Sequence, residues 1–421
     1  MGIVLGAIAD DFTGATDLCN TLVRRGMKTV QLIDVPGGNL PAPDAEAVVI
    51  ALKSRTIPGG DAVDMSLKAL AWLKDAGARQ ILFKYCSTFD STDAGNIGPV
   101  ADAILDALGE AFTVFCPAFP ANGRTIYRGY LFVGDVLLSE SGMRDHPLTP
   151  MRDPNLRRVL SRQTPHKVGL VPLTAVSRGA EAARAEFARL KAEGCRHAIL
   201  DAVTDDNLFA LGEALADLKL VTGGSGIALG LPENFRRAGL LKTSQADRLP
   251  KAPGAAAVIS GSCSTATLAQ VASMRRTNPV FDIDPLALAA GEPVVARALD
   301  WASPLIGDEP LLVSASAGPD RVRDVQNRLG GKRAGGLVEG ALAEIAQGLV
   351  KRGVRRLVVA GGETSGAVVQ ALGVTELRIG REIEPGVPWT ASLGEPTLAL
   401  ALKSGNFGGE DFFLKAIRCL D

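Results

Sequence analysis

The chain has 421 residues, with 45 Lys+Arg against 46 Asp+Glu and a formal net charge of -1. At about 150 residues per domain this length suggests two or three domains, and the even charge balance excludes a broad basic field for nucleic acid or an anionic membrane surface. Hydrophobic residues at 47% and charged residues at 22% exclude a disordered chain, while an excess of glycine (47 residues) points to tight turns or to backbone approaching a ligand.

In chain order, residues 1–9 lack the basic start of a signal peptide, and 3–9 read as a first strand running into Asp10 and Asp11. A helical stretch through Leu18, Leu22 and Val23 ends at Gly26. Residues 29–33 and 47–51 read as strands, 65–75 as a helix, 80–84 as a strand, 101–112 as a helix and 113–116 as a strand. Residues 135–163 form a longer irregular excursion, after which 180–192 and 207–216 are helical around a strand at 197–200. Residues 241–254 are polar, carry Pro250 and Pro253 and show no periodicity, as expected of a linker. The alternation then restarts, with strands at 255–260, 280–282, 311–314 and 356–360 and helices at 265–275, 338–350 and 367–372. Near-continuous apolar strands alternating with helices predict an α/β protein with two domains of mostly parallel sheet, residues 1–240 and 255–421. No internal repeat stands out. The longest apolar runs are of strand length, so no membrane span is expected. The six cysteines are scattered without a C-x-x-C pair, and only three histidines are present, which argues against a disulfide framework or a zinc site. These features predict a cytoplasmic protein.

In open α/β sheets, ligands bind beyond the carboxyl ends of the strands, and four polar clusters fall there. The first is 10–17, where Asp10 and Asp11 follow a strand and precede a helix; an aspartate there can orient or deprotonate a hydroxyl or hold water around magnesium. The alternative is a simple helix cap at Asp11 or Thr13, with Asp10 a solvated turn residue. The second, 84–92, offers Lys84, Asp90 and Ser91, and with Arg55 it suits a small polyhydroxylated anion; the alternative is a Ser/Thr-rich loop with Asp90 as a cap. The third, 116–125 and 144–150, carries Arg124, Arg144 and His146 on proline-stiffened loops, where His146 reads as a positioning residue rather than a base.

The fourth cluster is in the second domain. Gly361, Gly362, Glu363 and Thr364 leave a strand and enter a helix; Ser260, Ser262 and Ser264 make a similar entry; and Gly405 lies in a third Gly-rich turn. Three such turns in one domain suit a polyphosphate. Two Gly-rich stretches do not. Residues 224–230 miss the dinucleotide fingerprint by one position and meet Pro232, and 330–333 lack most of a P-loop and read as a surface turn.

The motifs Ile8-Ala9-Asp10-Asp11-Phe12-Thr13-Gly14-Ala15, Asp90-Ser91-Thr92, Pro117-Ala118-Phe119-Pro120, His146-Pro147-Leu148-Thr149-Pro150-Met151, Ser260-Gly261-Ser262-Cys263-Ser264 and Gly361-Gly362-Glu363-Thr364-Ser365-Gly366 together resemble the four-carbon acid sugar kinase family over essentially the whole chain. Residues 85–92, Gly95-Asn96-Ile97-Gly98 and Gly405-Asn406-Phe407-Gly408 are most similar to its 3-oxo-tetronate kinase branch; the Leu-Arg-Gly that other branches carry after Asp-Ser-Thr is here Asp93-Ala94-Gly95. The resemblance implies ATP and Mg2+ as cofactors, a sugar-acid-binding first domain, a nucleotide-binding second domain and an active site in the cleft between them. On the residues, Asp11 and Asp90 are the candidates for the base that takes the 4-hydroxyl proton. Asp10, Arg55, Lys84, Ser91 and Arg144 are candidates for binding the acid sugar. Ser260, Ser262, Ser264, Gly361, Gly362, Glu363, Thr364 and Gly405 are candidates for binding ATP. The expected partner is a small-molecule sugar acid, with no nucleic acid and no membrane, and a homo-oligomer is compatible with this reading. The competing readings are a D-threonate or D-erythronate kinase, an NAD-dependent hydroxy-acid dehydrogenase, and a non-enzymatic sugar-acid sensor.

Overall fold

A computed structural model describes residues 2–37, 40–90, 92–146, 149–241 and 245–420. Of the residues named above, Met1, Ser91, Pro147, Leu148 and Lys242, Thr243 and Ser244 of the expected linker lie outside this set. The chain divides into two compact units, Met1–Ala246 and Asp247–Asp421.

Unit 1 is built on an eight-stranded sheet of β1 (Leu5–Ala9), β2 (Thr29–Ile33), β3 (Ala47–Ala51), β4 (Gln80–Lys84), β5 (Thr113–Cys116), β9 (Val168–Val171), β10 (His197–Leu200) and β11 (Leu220–Gly223). The order is β2-β3-β1-β4-β11-β5-β10-β9 and every pairing is parallel. β1, β3 and β4 are buried on both faces, which is why they read as unbroken apolar runs rather than alternating ones. The main covering helices are α1 (Phe12–Arg24), α2 (Gly59–Asp75), α3 (Ile97–Ala107), α6 (Ala180–Ala192) and α7 (Asp205–Ala214), with the short α4 (Leu156–Ser161), α5 (Leu173–Val176) and α8 (Leu231–Arg237). In α1, Leu18 and Leu22 are fully buried against the sheet, each contributing about 1.5–3 kcal/mol of burial. α3 starts four residues before the apolar pattern predicted, because Pro99 is tolerated in a first turn whose N–H groups have no helical acceptor.

The stretch expected to be irregular, 135–163, holds the strand β8 (Val136–Leu137) and the helix α4, and β8 joins two strands that precede it. β6 (Arg124–Tyr127), β7 (Tyr130–Val133) and β8 form a separate antiparallel sheet. It is anchored by Asp201, at the end of β10, whose carboxylate accepts from the backbone N–H groups of Arg128 and Gly129, both at 2.8 Å.

Unit 2 contains β12 (Ala255–Ser260), β13 (Val280–Asp282), β14 (Leu311–Ser314), β15 (Val354–Ala360), β16 (Glu376–Glu384), β17 (Val387–Ser392) and β18 (Ala399–Lys403), in the order β13-β14-β12-β15-β18-β17-β16. The first five in that order are parallel; β17 pairs antiparallel with both neighbours. Its helices are α9 (Thr265–Arg275), α10 (Pro285–Ala289), α11 (Val294–Ala302), α12 (Pro319–Leu329), α13 (Gly331–Lys351), α14 (Gly362–Ala371) and α15 (Phe412–Arg418). Val258, Val358, Trp389, Phe412 and Phe413 form part of the core on one face of this sheet.

The units share a winding pattern that the sequence does not display. In each, the first strand is central, the second lies outermost on one side, the third fills the gap between them, and the fourth is on the other side, as β2-β3-β1-β4 and β13-β14-β12-β15. Loops from a central strand and its neighbours therefore diverge and leave a crevice at its carboxyl end, the usual ligand position in such sheets.

Candidate active site

The crevice of unit 1 gathers four of the expected residues. Asp10 and Asp11 leave β1, Lys84 ends β4, and Arg55 follows β3. The strand ends are laced by backbone bonds, from Asp10 N to the Lys84 carbonyl at 3.0 Å and from Arg55 N to the Asp10 carbonyl at 3.1 Å. Arg55 donates to Asp10 in bidentate fashion, Nε to Oδ2 at 2.9 Å and Nη2 to Oδ1 at 2.7 Å, and Nη2 also reaches Asp11 Oδ1 at 2.5 Å. Lys84 Nζ lies 3.7 Å from the same Asp11 oxygen.

Asp11 caps α1, as one of the two readings expected, and also faces the cations. Its Oδ2 caps α1, accepting from Gly14 N at 3.1 Å and Thr13 Oγ1 at 2.8 Å, while Oδ1 faces the cations. Burial pushes its carboxyl up, but Lys84, Arg55 and the two cap bonds outweigh this and hold it down at about 2. Asp10 is buried, not solvated: burial raises its carboxyl above the ordinary value, opposed by Arg55. Burial likewise disfavours charge on Arg55, yet Asp10 and then Asp11 hold its guanidinium above its usual value. The cluster closes over Gly14, where a Cβ would displace Lys84 Nζ and Asp11 Oδ1.

Asp90 is placed by an unusual turn. Phe89 has φ 55, a left-handed conformation that a bulky residue rarely adopts. It is held there by complete burial and an edge contact with the Tyr85 ring, centroids 5.3 Å apart. The half-buried Asp90 accepts from Thr88 Oγ1 and does not cap a helix. Ser91 lies outside the described residues. Arg144 is in an exposed turn and makes no side-chain bond to the Asp10–Arg55–Asp11–Lys84 group. His146 is a local strut, its Nδ1 accepting from Thr149 N at 3.2 Å. Two supports went unrecognised in the sequence. Asn96 Nδ2 bonds the carbonyls of Ser54, Arg55 and Ile57 at 2.7–3.3 Å, and Gln163 joins Gly98 N at 3.0 Å to the Thr92 carbonyl at 2.7 Å.

The crevice of unit 2 is a cavity of about 640 Å³ at the carboxyl ends of β12, β14 and β15. Ser262, Gly361, Gly362, Glu363 and Thr364 line it; Ser260, Ser264 and Gly405 do not. Those three bond to neighbouring turns. Ser260 Oγ is 2.7 Å from Ser316 Oγ, Ser264 caps α9 through Thr267 N at 3.2 Å, and the Gly405 carbonyl accepts from Ser264 Oγ at 2.5 Å.

The helix expected from residue 367 starts at Gly362, so Gly362, Glu363 and Thr364 form its first turn and no side chain caps it. Their N–H groups lack helical acceptors, which suits an anion. Gly361 has φ 126, and a Cβ there would lie 2.8 Å from Thr364 Oγ1 and 3.2 Å from Ser262 N. One wall is apolar, with Ile283, Val322, Val325 and Val338, and it includes Gly331. The 330–333 stretch is therefore the junction of α12 and α13, with Gly331 on the cavity, rather than a plain surface turn. Residues 224–230 form no nucleotide turn: Gly212 and Gly230 meet where α7 packs, and a Cβ on Gly226 would strike the Ala118 carbonyl at 2.3 Å.

Two family models match in series: a sugar-binding N-terminal domain over residues 5–231 and a nucleotide-binding C-terminal domain over residues 257–413. The chain belongs to the four-carbon acid sugar kinase family. The first model spans the Asp10–Arg55–Asp11–Lys84 group and the second spans the cavity. Similar relatives in this kinase family include a 3-oxo-tetronate kinase of Burkholderia multivorans, 63% identical over 99% of this chain and 97% of the relative, and one of Cupriavidus necator, 61% identical over the same shares. Among solved structures, a crystal structure from Salmonella typhimurium LT2 superposes with a TM-score of 0.93 at 45% identity over 99% of both chains. One from Haemophilus influenzae superposes with a TM-score of 0.87 at 47% identity over 99% of this chain and all of that one.

Proposed function

We propose that this chain transfers the γ-phosphoryl group of ATP to the 4-hydroxyl of 3-oxo-tetronate, giving 3-oxo-tetronate 4-phosphate and ADP. The observation that carries the reading is the 58–63% identity, over 98–99% of the chain, to four relatives that are all 3-oxo-tetronate kinases. The geometry suits it. Unit 1 offers cations in a polar crevice to a small acid; unit 2 offers backbone donors to phosphates and an apolar wall to a base.

Arg55 spends Nε and Nη2 on Asp10 and Asp11, which leaves Nη1 for a substrate oxygen. Lys84 adds charge beside it. We take Asp90 as the base. Asp11, held at about 2 with both oxygens engaged, is a weak proton acceptor and fixes Arg55 and Lys84 instead. In the reaction the 4-hydroxyl oxygen bonds to the γ-phosphorus, the bond from that phosphorus to the bridging oxygen breaks, ADP leaves with the electron pair, and the hydroxyl proton passes to Asp90. Such transfers depend on positioning and charge neutralisation more than on covalent chemistry. The N–H groups of Gly362, Glu363 and Thr364 would hold the phosphates. Among the described residues no group of three His, Cys, Asp or Glu gathers that could hold magnesium; the ion would enter on the triphosphate oxygens and neutralise their charge.

Among the described residues no helix is long and apolar enough to cross a membrane, and neither the fold nor the relatives favour a dehydrogenase or a sensor. Coupled ADP detection over a panel of four-carbon sugar acids, including enzymatically generated 3-oxo acids, tests the reading. ADP release is expected to be fastest with 3-oxo-tetronate. A folded protein releasing no ADP above the substrate-free background with any of them would overturn it.

A further inference from the structure

Strand β18 ends in a lysine that the mechanism above does not use. Lys403 is completely buried. Its Nζ donates to Thr267 Oγ1 at 2.9 Å and to the Gly405 carbonyl at 3.0 Å, and its own carbonyl accepts from Gly361 N at 2.9 Å. Thr267 lies in α9, and its hydroxyl donates to the same Gly405 carbonyl at 2.9 Å, as Ser264 Oγ does at 2.5 Å. One residue thus ties together the turns that follow β12, β15 and β18.

Its partners are all neutral. Among the described residues no carboxylate stands within ion-pair distance of Nζ, and burial alone pulls the ammonium down to about 8. Of the charged groups on elements packed against β18, Arg355 and Arg356 are at the far end of β15, where Arg356 is level with Ala399. Glu363 is in the first turn of α14 and does not shift the lysine. A buried lysine normally has a counter-charge. Among the described residues that line the cavity, the one cation, Arg321, is paired with Asp284 at 3.3 Å. An anion in the cavity would provide the missing counter-charge.

We propose that Lys403 is a positioning residue for ATP: bonded through its carbonyl to Gly361 on the cavity wall, it holds the turns after β12, β15 and β18 in register and supplies a positive charge that the bound triphosphate balances. This rests on the nucleotide reading of unit 2. It makes ATP binding and the charge of Lys403 interdependent, since ATP favours the charged form and the charged form favours ATP.

The test is calorimetry of ATP binding to the full chain and to Lys403→Met, in buffers of different ionisation enthalpy at pH 8, where ATP itself is fully ionised. The unaltered protein is expected to take up a fraction of a proton per ATP bound and to bind ATP progressively more weakly from pH 7 to 9. Lys403→Met should bind ATP about tenfold or more weakly, with no such uptake and a flat pH profile, and its binding of the acid sugar should be unchanged. Equal affinity, uptake and pH profile in both proteins would overturn the inference. Should Lys403→Met fail to fold, the unaltered protein decides alone, and no proton uptake at pH 8 would overturn it. A folded, unaltered protein that binds the acid sugar but not ATP would overturn the nucleotide reading and this inference with it.

Discussion

Arg55 holds the buried carboxylate of Asp10 through two hydrogen bonds, at 2.9 and 2.7 Å, across 45 residues of sequence. Neither group stands well without the other, because Asp10 is only 3% exposed. Removing one member of a buried pair costs about 3 kcal/mol or more. Arg55→Met should therefore lower stability by about that amount and raise the acid-sugar KM. Arg55→Lys should recover little, since an ammonium cannot reproduce the bidentate fork. Urea melts and steady-state kinetics check this; a fully stable Arg55→Met would show that the pair is not a strut.

Asp11 gives a pH dependence with a definite sign. Its carboxyl is lowered to about 2 in the folded protein, so its contribution is present above the unfolded value of about 4 and is lost as pH falls through the folded one. Asp10, raised by burial, acts in the opposite sense: its contribution is present below the unfolded value and is lost as pH rises through the folded one. The difference in melting temperature between the unaltered protein and Asp11→Asn isolates the first effect. It should be largest above pH 4 and shrink toward pH 2; a constant difference would contradict the placement of Asp11 between two cations.

Asp90 and Asp11 separate kinetically. Asp90→Asn should reduce kcat by about a hundredfold or more while leaving both KM values within a few-fold. Asp11→Asn, which loosens Arg55 and Lys84, should chiefly raise the acid-sugar KM. The reverse pattern would move the base to Asp11.

Asn96 provides a test of support without substrate contact. Its amide bonds three carbonyls of the loop that carries Arg55. Asn96→Ala should raise the acid-sugar KM several-fold and leave ATP binding as it was. Equal loss of both would indicate general unfolding.

The glycine pair at the start of α14 distinguishes shape from space. Gly361 has φ 126 and close neighbours, whereas a Cβ on Gly362 meets nothing within 4 Å. Gly361→Ala should lower the melting temperature and weaken ATP binding together. Gly362→Val should raise the ATP KM or abolish turnover at an unchanged melting temperature, with acid-sugar binding intact. Loss of acid-sugar binding in Gly362→Val would contradict the division of labour between the two units.

Much of the fold was legible because burial on both faces leaves a direct mark. Strands such as β1, β3 and β12 have few polar positions, and their limits fall within two residues of the expected ones. β18 was not legible: Ala399-Leu400-Ala401-Leu402-Lys403 is made of good helix formers, and only its place between β15 and β17 makes it a strand. The starts of α2, α3 and α14 were also missed; their first turns carry Gly59, Gly98 with Pro99, and Gly362, all poor helix formers. Of the candidate site residues, Asp10, Asp11, Arg55 and Lys84 do converge, as do Ser262 and residues 361–364, while Arg144 stays apart.

The sequence by itself determined two α/β parts, an even charge balance and the polar turns at which ligands enter, because strand burial and turn chemistry are local properties. The glycine excess is part of that record: Gly361 shapes the wall of one crevice and Gly14 makes room in the other. Only the tertiary structure decided what each polar group does. It buried Asp10 against Arg55, made Asp11 both a cap and a counter-charge, and brought Ser264 and Lys403 together on the Gly405 carbonyl. Those roles depend on distances between residues far apart in the chain, and no local pattern encodes them.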